Sequence, residues 1–139
     1  MELAKVLIVD DNQDLARALE LRLRASNYQI LLAQNGSSAV ALALAERPFA
    51  ILLDLHLKQE DGFAVLREFR SFSGLSVVPV LIVSADCSAL TQQRVLDAGA
   101  HCFLEKPVNH RLLLQILRDI QVRSQNQDCL KAKADSHSA

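Results

Sequence analysis

Short apolar runs alternate with helical periods along most of the chain. The runs are KVLIV (5–9), YQILLA (28–33), FAILL (49–53), VVPVLIV (77–83) and HCFL (101–104). Each is of strand length and rich in β-branched or large aliphatic residues. The stretches between them are amphipathic. Residues 12–26 place Leu15, Ala18, Leu19 and Leu23 at helical spacing. Residues 36–47 follow the second run and are stopped by Arg47-Pro48. Residues 61–72 carry Phe63, Leu66 and Phe69 or Arg70, and residues 88–99 end at Gly99, a helix-terminating residue. The last periodic stretch, 109–123, carries Leu112, Leu113, Ile116, Leu117 and Ile120. After Arg123 the pattern stops, and 124–139 is expected to be a polar tail or linker without stable structure.

Five strands alternating with five helices predict a parallel sheet covered on both faces. Right-handed crossovers make it an α/β, doubly wound, flavodoxin-like (βα)5 fold. The strand ends carry the candidate chemistry, because ligands in such sheets bind beyond the carboxyl ends of the strands. The first run ends in Asp10-Asp11, the third in Asp54, the fourth in Ser84-Ala85 and the fifth in Lys106-Pro107. The second ends in AQNG and offers no charge, which puts it at the outside of the sheet. The predicted strand order is therefore 2-1-3-4-5, with the first and third strands adjacent at the switch point.

Bulk properties add only exclusions. The chain has 139 residues, 22% of them charged, and a net charge of −1, which suits one globular domain and offers no basic nucleic-acid surface. No apolar run is long enough to span a membrane, and the first residues lack the pattern of a signal peptide. Cys87, Cys102 and Cys129 are odd in number and lack metal-type spacing, so they read as reduced thiols of a cytoplasmic protein.

Two like charges side by side at Asp10-Asp11 have two explanations. The pair caps the next helix, or something positive sits between carboxylates. With Asp54 beside them, three acids repel unless a cation or proton relieves them. Oxygen donors in a small, partly hydrated cluster suit Mg²⁺. Lys106 then lies opposite as a fixed positive charge, and the space between suits a phosphoryl group, with the Ser84 hydroxyl on one of its oxygens. Asp54, at the centre, is the natural nucleophile, since carboxylates form acyl phosphates.

The ordered set LIVDDN, LLDLHLKQEDG, LIVSA and GAHCFLEKP resembles the receiver domain of two-component response regulators over residues 3–123. The resemblance implies a switch rather than a turnover enzyme. Asp54 would accept a phosphoryl group from a histidine kinase or histidine phosphotransfer protein. Asp10, Asp11, Asp54 and the backbone carbonyl of His56 would hold Mg²⁺. Lys106 would pair with the phosphoryl group, Ser84 and Phe103 would switch, and the Lys106–Pro107 bond would be cis. The surface of the fourth helix, fifth strand and fifth helix would then meet a downstream protein or a second copy, with neither nucleic acid nor membrane as a direct partner. This chain departs from the family pattern at Lys58-Gln59, where a Pro-Gly pair is usual, at His101-Cys102, usually acidic, and at Gln115, where one DNA-binding subfamily has arginine.

Two rivals remain on the sequence. A metal-dependent phosphohydrolase using an aspartyl phosphate wants a second acid two residues after its nucleophile, where this chain has His56. A receiver-like adaptor acting without phosphorylation has no need of the full acid, hydroxyl and lysine set. Nucleotide binding lacks its glycine-rich loop after the first strand.

Overall fold

A computed structural model describes residues 3–137, with side chains described through residue 123. Its elements are β1 (Lys5–Val9), α1 (Gln13–Ala25), β2 (Gln29–Ala33), α2 (Gly36–Glu46), β3 (Ala50–Asp54) and α3 (Gly62–Ser71), then β4 (Val80–Ser84), α4 (Ala89–Asp97), β5 (Cys102–Glu105) and α5 (His110–His137). The five strands form one parallel sheet in the order β2-β1-β3-β4-β5, the doubly wound topology expected. The chain divides into a unit ending at Asn109 and a second unit, α5, beginning at His110.

Burial follows position in the sheet. Every residue of β3 and β4, and all of β1 after Lys5, is buried, as a strand covered on both faces requires. The outer strand β2 instead exposes Gln29 and Leu32. On one face Leu7, Val9, Ile51, Leu53, Val80 and Ile82 form a core cluster with Val40 and Ala43 of α2, Val65, Leu66 and Phe69 of α3 and Val95 of α4. Strand alternation turns Val6, Ile8, Leu52, Leu81 and Val83, also buried, to the other face.

Three details differ from the sequence pattern. α1 buries Ala16, Leu19 and Leu23, while Leu15 and Ala18 are exposed. Leu19 and Leu23 stay in the buried stripe, and the small Ala16 takes the position given to Leu15. β4 begins at Val80, not at residue 77, because residues 72–79 form turns closed by Leu75 N–H on the Phe72 carbonyl (2.9 Å) and Val78 N–H on the Leu75 carbonyl (3.2 Å). Val77 is 85% exposed as a result. The α5 backbone continues to His137, past the end expected near Arg123. The tail expected over 124–139 concerns side chains outside the described residues. Within α5, Leu113, Leu117 and Ile120 are buried and Leu112 is exposed.

Arg70, in the last turn of α3, closes the base of this unit. Its Nη1 donates to the carbonyls of Leu75 (3.3 Å), Ser76 (3.0 Å) and Val78 (2.8 Å), and its Nε and Nη2 both donate to Gly99 (3.0 and 2.7 Å). Gly99 follows α4 with φ of 101°, the left-handed turn that ends the helix and aims its carbonyl at the guanidinium. Half-burial pushes the Arg70 pKa down from its ordinary value, but an arginine starts far above neutrality and stays charged. Arg70→Ala removes donors from four carbonyls at once. Thermal denaturation is expected to show a loss of about 2 kcal/mol. Arg70→Lys is expected to recover only part of it, because an ammonium cannot reproduce the planar fork.

Candidate functional site

The ladder sets the site. Val9 pairs with Leu53, Asp54 with Val83 and Ser84 with Glu105, so neighbouring strands end within one residue of one another. The Asp10 N–H extends the ladder by one bond to the Ala33 carbonyl (3.1 Å), and the Lys106 N–H bonds the Ser84 carbonyl (2.9 Å). Asp10, Asp54, Ser84 and Lys106 thus leave the sheet along one edge.

The carboxylates of Asp10, Asp11 and Asp54 offer ligand oxygens all within 4.8 Å of one another. Asp10 and Asp54 are buried and Asp11 is half-buried. Asp54 has its two oxygens divided: Oδ1 accepts the His56 N–H (3.0 Å) and Oδ2 lies 3.1 Å from Lys106 Nζ. Asp10 Oδ1 accepts the Asn12 N–H (2.9 Å), and Asp11 Oδ2 accepts the Lys58 N–H (2.6 Å). Capping of α1 falls to Asn12, whose side-chain oxygen accepts from Asp14 and Leu15 (3.1 and 3.2 Å). The aspartate pair at the strand end is therefore left to the cluster.

Burial is the main reason that Asp10 has its pKa raised above the usual carboxylate range. The Asn12 N–H opposes it, Asp54 adds to it, Lys106 opposes it, and Asp11 adds a smaller push. One ammonium among three carboxylates leaves negative charge in excess. This buried acidic cluster matches the Mg²⁺-binding architecture of receiver domains, three hard oxygen donors close together.

The Ser84 side chain is fully buried, and its Oγ accepts the Asp86 N–H (3.0 Å). Before α4, whose N-cap is Ser88, the turn is held by Asp86. Its Oδ1 accepts the Ser88 N–H (3.1 Å) and its Oδ2 the Thr91 hydroxyl (2.8 Å). These bonds, Thr91 first, hold the Asp86 carboxyl below its ordinary pKa. Phe103 is half-buried against the core cluster. The Lys106–Pro107 peptide is cis, as the family resemblance implies. The His56 side chain is exposed near Asp86. His101 is exposed; His137 and Cys129 lie outside the described side chains. Cys102 is partly buried, which pushes its thiol pKa up to about 11, and Cys87 donates to Glu105 (3.4 Å) at the surface.

Two contributors escaped the sequence reading. Thr91 stands three residues after the Ser88 N-cap, which accepts its N–H (3.3 Å) and donates its hydroxyl to Thr91 Oγ1 (3.1 Å), a spacing visible in principle. Lys58 reaches Asp11 through its main chain, which residue type does not advertise.

Residues 6–118 match the response regulator receiver domain family, and the chain belongs to it. It is 32% identical over 117 residues to the response regulator PleD of Caulobacter vibrioides, covering 84% of this chain and 26% of PleD. It is 33% identical over 124 residues to the response regulator MprA of Mycolicibacterium vanbaalenii, covering 89% of this chain and 53% of MprA. Protein PilH of Pseudomonas aeruginosa is 31% identical over 118 residues, covering 85% of this chain and 98% of PilH. The chain thus spans about a quarter to a half of the first two relatives. Among solved structures, Vibrio cholerae chemotaxis protein CheY4 superposes with a TM-score of 0.80 at 28% identity, covering 86% of this chain and 99% of CheY4. Fold, family and acidic cluster together are those of a receiver domain, an arrangement consistent with a phosphorylation-dependent switch. Among the described residues, no helix is long and apolar enough to cross a membrane.

The raised pKa of Asp10 has a consequence for stability. The folded state holds this proton more tightly than the unfolded chain. Its contribution therefore worsens as pH rises from the ordinary carboxylate value through the raised one, and the full cost is present above both. In chelator, Asp10→Asn is expected to raise Tm at pH 7, with the gain fading as pH falls toward the ordinary carboxylate range. Added Mg²⁺ is expected to raise the Tm of the wild type and to do much less for Asp10→Asn.

Proposed function

We propose that Asp54 accepts a phosphoryl group from a phosphohistidine on a histidine kinase or histidine phosphotransfer protein. The observation that carries this reading is that Asp54 Oδ2 lies 3.1 Å from Lys106 Nζ while the Asp54 carboxylate clusters with those of Asp10 and Asp11. An Asp54 oxygen attacks phosphorus, the P–N bond breaks, and the imidazole leaves with the electron pair. Lys106 stays beside the transferred group and neutralises part of the charge on its equatorial oxygens. Asp10, Asp11, Asp54 and the backbone carbonyl of His56 are the groups that would hold Mg²⁺. When bound, the ion supplies charge neutralisation to the phosphoryl oxygens.

The switch follows from the Ser84 bond. Its Oγ accepts the Asp86 N–H. A new acceptor on Asp54 draws the Ser84 hydroxyl toward itself, and the turn leading into α4 loses that anchor. Phe103 turns into the space that Ser84 leaves. The α4 and β5 side then presents a different face to a downstream protein or to a second copy. This is a local charge biasing a two-state element. Ala85, small and exposed, leaves the phosphoryl site open to the donor and later to water. The His56 side chain flanks that water path. Asp86 lies beside it too, but its oxygens are already engaged by Ser88 and Thr91. A cytoplasmic setting fits the kinase partner and the reduced thiols.

Incubation with Mg²⁺ and a small acyl-phosphate donor, followed by intact mass, tests the reading. One added phosphoryl group is expected in the wild type, dependent on Mg²⁺ and absent in Asp54→Asn. Addition that persists in Asp54→Asn identifies a different nucleophile. Sustained turnover of phosphate monoesters would overturn the switch reading in favour of a hydrolase.

A further inference from the structure

Each acid of the cluster accepts one backbone N–H. Asn12 donates to Asp10 and His56 to Asp54. Both donors lie two residues after the acid, local turns that the aspartates form with their own strand ends. The third bond is of another kind. Lys58 donates to Asp11 Oδ2 at 2.6 Å from 47 positions away in the sequence. It forms only when the segment between β3 and α3 lies against the start of α1.

That segment is held at its other end as well. Glu60 Oε2 accepts the Gly36 N–H at the start of α2 (2.6 Å). Asp61 caps α3 through the Phe63 N–H (3.0 Å), and the Gly62 N–H bonds the Leu55 carbonyl (3.1 Å). At Gly62 a Cβ would meet the Leu55 backbone, 2.7 Å from its Cα, so the chain closes on itself there. The Lys58 N–H is thereby presented to Asp11 by a segment anchored on both sides of it.

We infer that Lys58 is a positioning residue for the Mg²⁺ site, acting through its main-chain N–H and not through its ammonium group. The inference rests on Asp11 being a metal ligand. Asp11 is the least buried of the three acids, and two like charges face it. Unlatched, its carboxylate turns to water, and binding a cation then carries the cost of ordering it. A charge-assisted bond to Oδ2 fixes the side chain and leaves Oδ1 for the ion. Proline at this position has no N–H and cannot make the bond.

Calorimetric titration with Mg²⁺ alone separates main chain from side chain. Lys58→Ala keeps the N–H and is expected to bind at least as tightly as wild type. Lys58→Pro is expected to raise the Kd about tenfold, the loss of one hydrogen bond to a charged group. Equal Kd values for the two variants, or tighter binding by Lys58→Pro, overturn the inference. Amide exchange in the wild type and in Asp11→Ala gives a second readout that does not require Lys58→Pro to fold. Protection of the Lys58 amide is expected to vanish in Asp11→Ala, and equal protection in both proteins overturns the latch. A wild type that binds no Mg²⁺ removes the metal site itself, an outcome distinct from a latch that fails while Mg²⁺ still binds.

Discussion

The in-register parallel ladder is the constraint on which the site depends. β1, β3, β4 and β5 are hydrogen-bonded neighbours whose ends lie within one residue of each other. Side-chain period fixes that register, because a slip of one residue would turn the buried residues of β3 and β4 to the wrong layer. A slip would also move Asp54 away from Asp10 or Lys106. Burying the apolar runs and assembling the charges are therefore one event. The core stabilises an arrangement of three carboxylates that the carboxylates themselves oppose.

That opposition is reduced in stages. Lys106 takes one oxygen of Asp54, and three backbone N–H groups each take one oxygen of an acid. The charge left over is what a dication satisfies, and burial of Asp10 sharpens the need. Beside this cluster Ser84 belongs to a second network, running through the Asp86 N–H to Ser88 and Thr91 at the start of α4. A buried hydroxyl tied to the turn that leads into α4 is a natural place for a local charge to alter a distant surface.

Much of this was legible in the sequence because the charges are placed at the ends of apolar runs. The uncharged end of the second run correctly put β2 at the sheet edge. The cluster of Asp10, Asp11 and Asp54 and the pairing of Asp54 with Lys106 follow from topology once the strands are in order. What was not legible depends on tertiary packing or on the main chain. Val77 and Val78 have strand-forming side chains, yet the turns from Phe72 to Pro79 leave Val77 in water. Leu15 outranks Ala16 in hydrophobicity, yet the buried stripe of α1 takes the small residue. The Lys58 latch and the Arg70 fork both end on backbone groups, which every residue carries and no motif marks.

A crystal structure of the protein with Mg²⁺ and beryllium trifluoride, a non-transferable stand-in for the phosphoryl group, tests the central claim most directly. The trifluoride is expected on an Asp54 oxygen, with Lys106 and the Ser84 hydroxyl on its fluorines and the ion among Asp10, Asp11 and Asp54. Trifluoride bound to another side chain, or Mg²⁺ held away from these three acids, would contradict it.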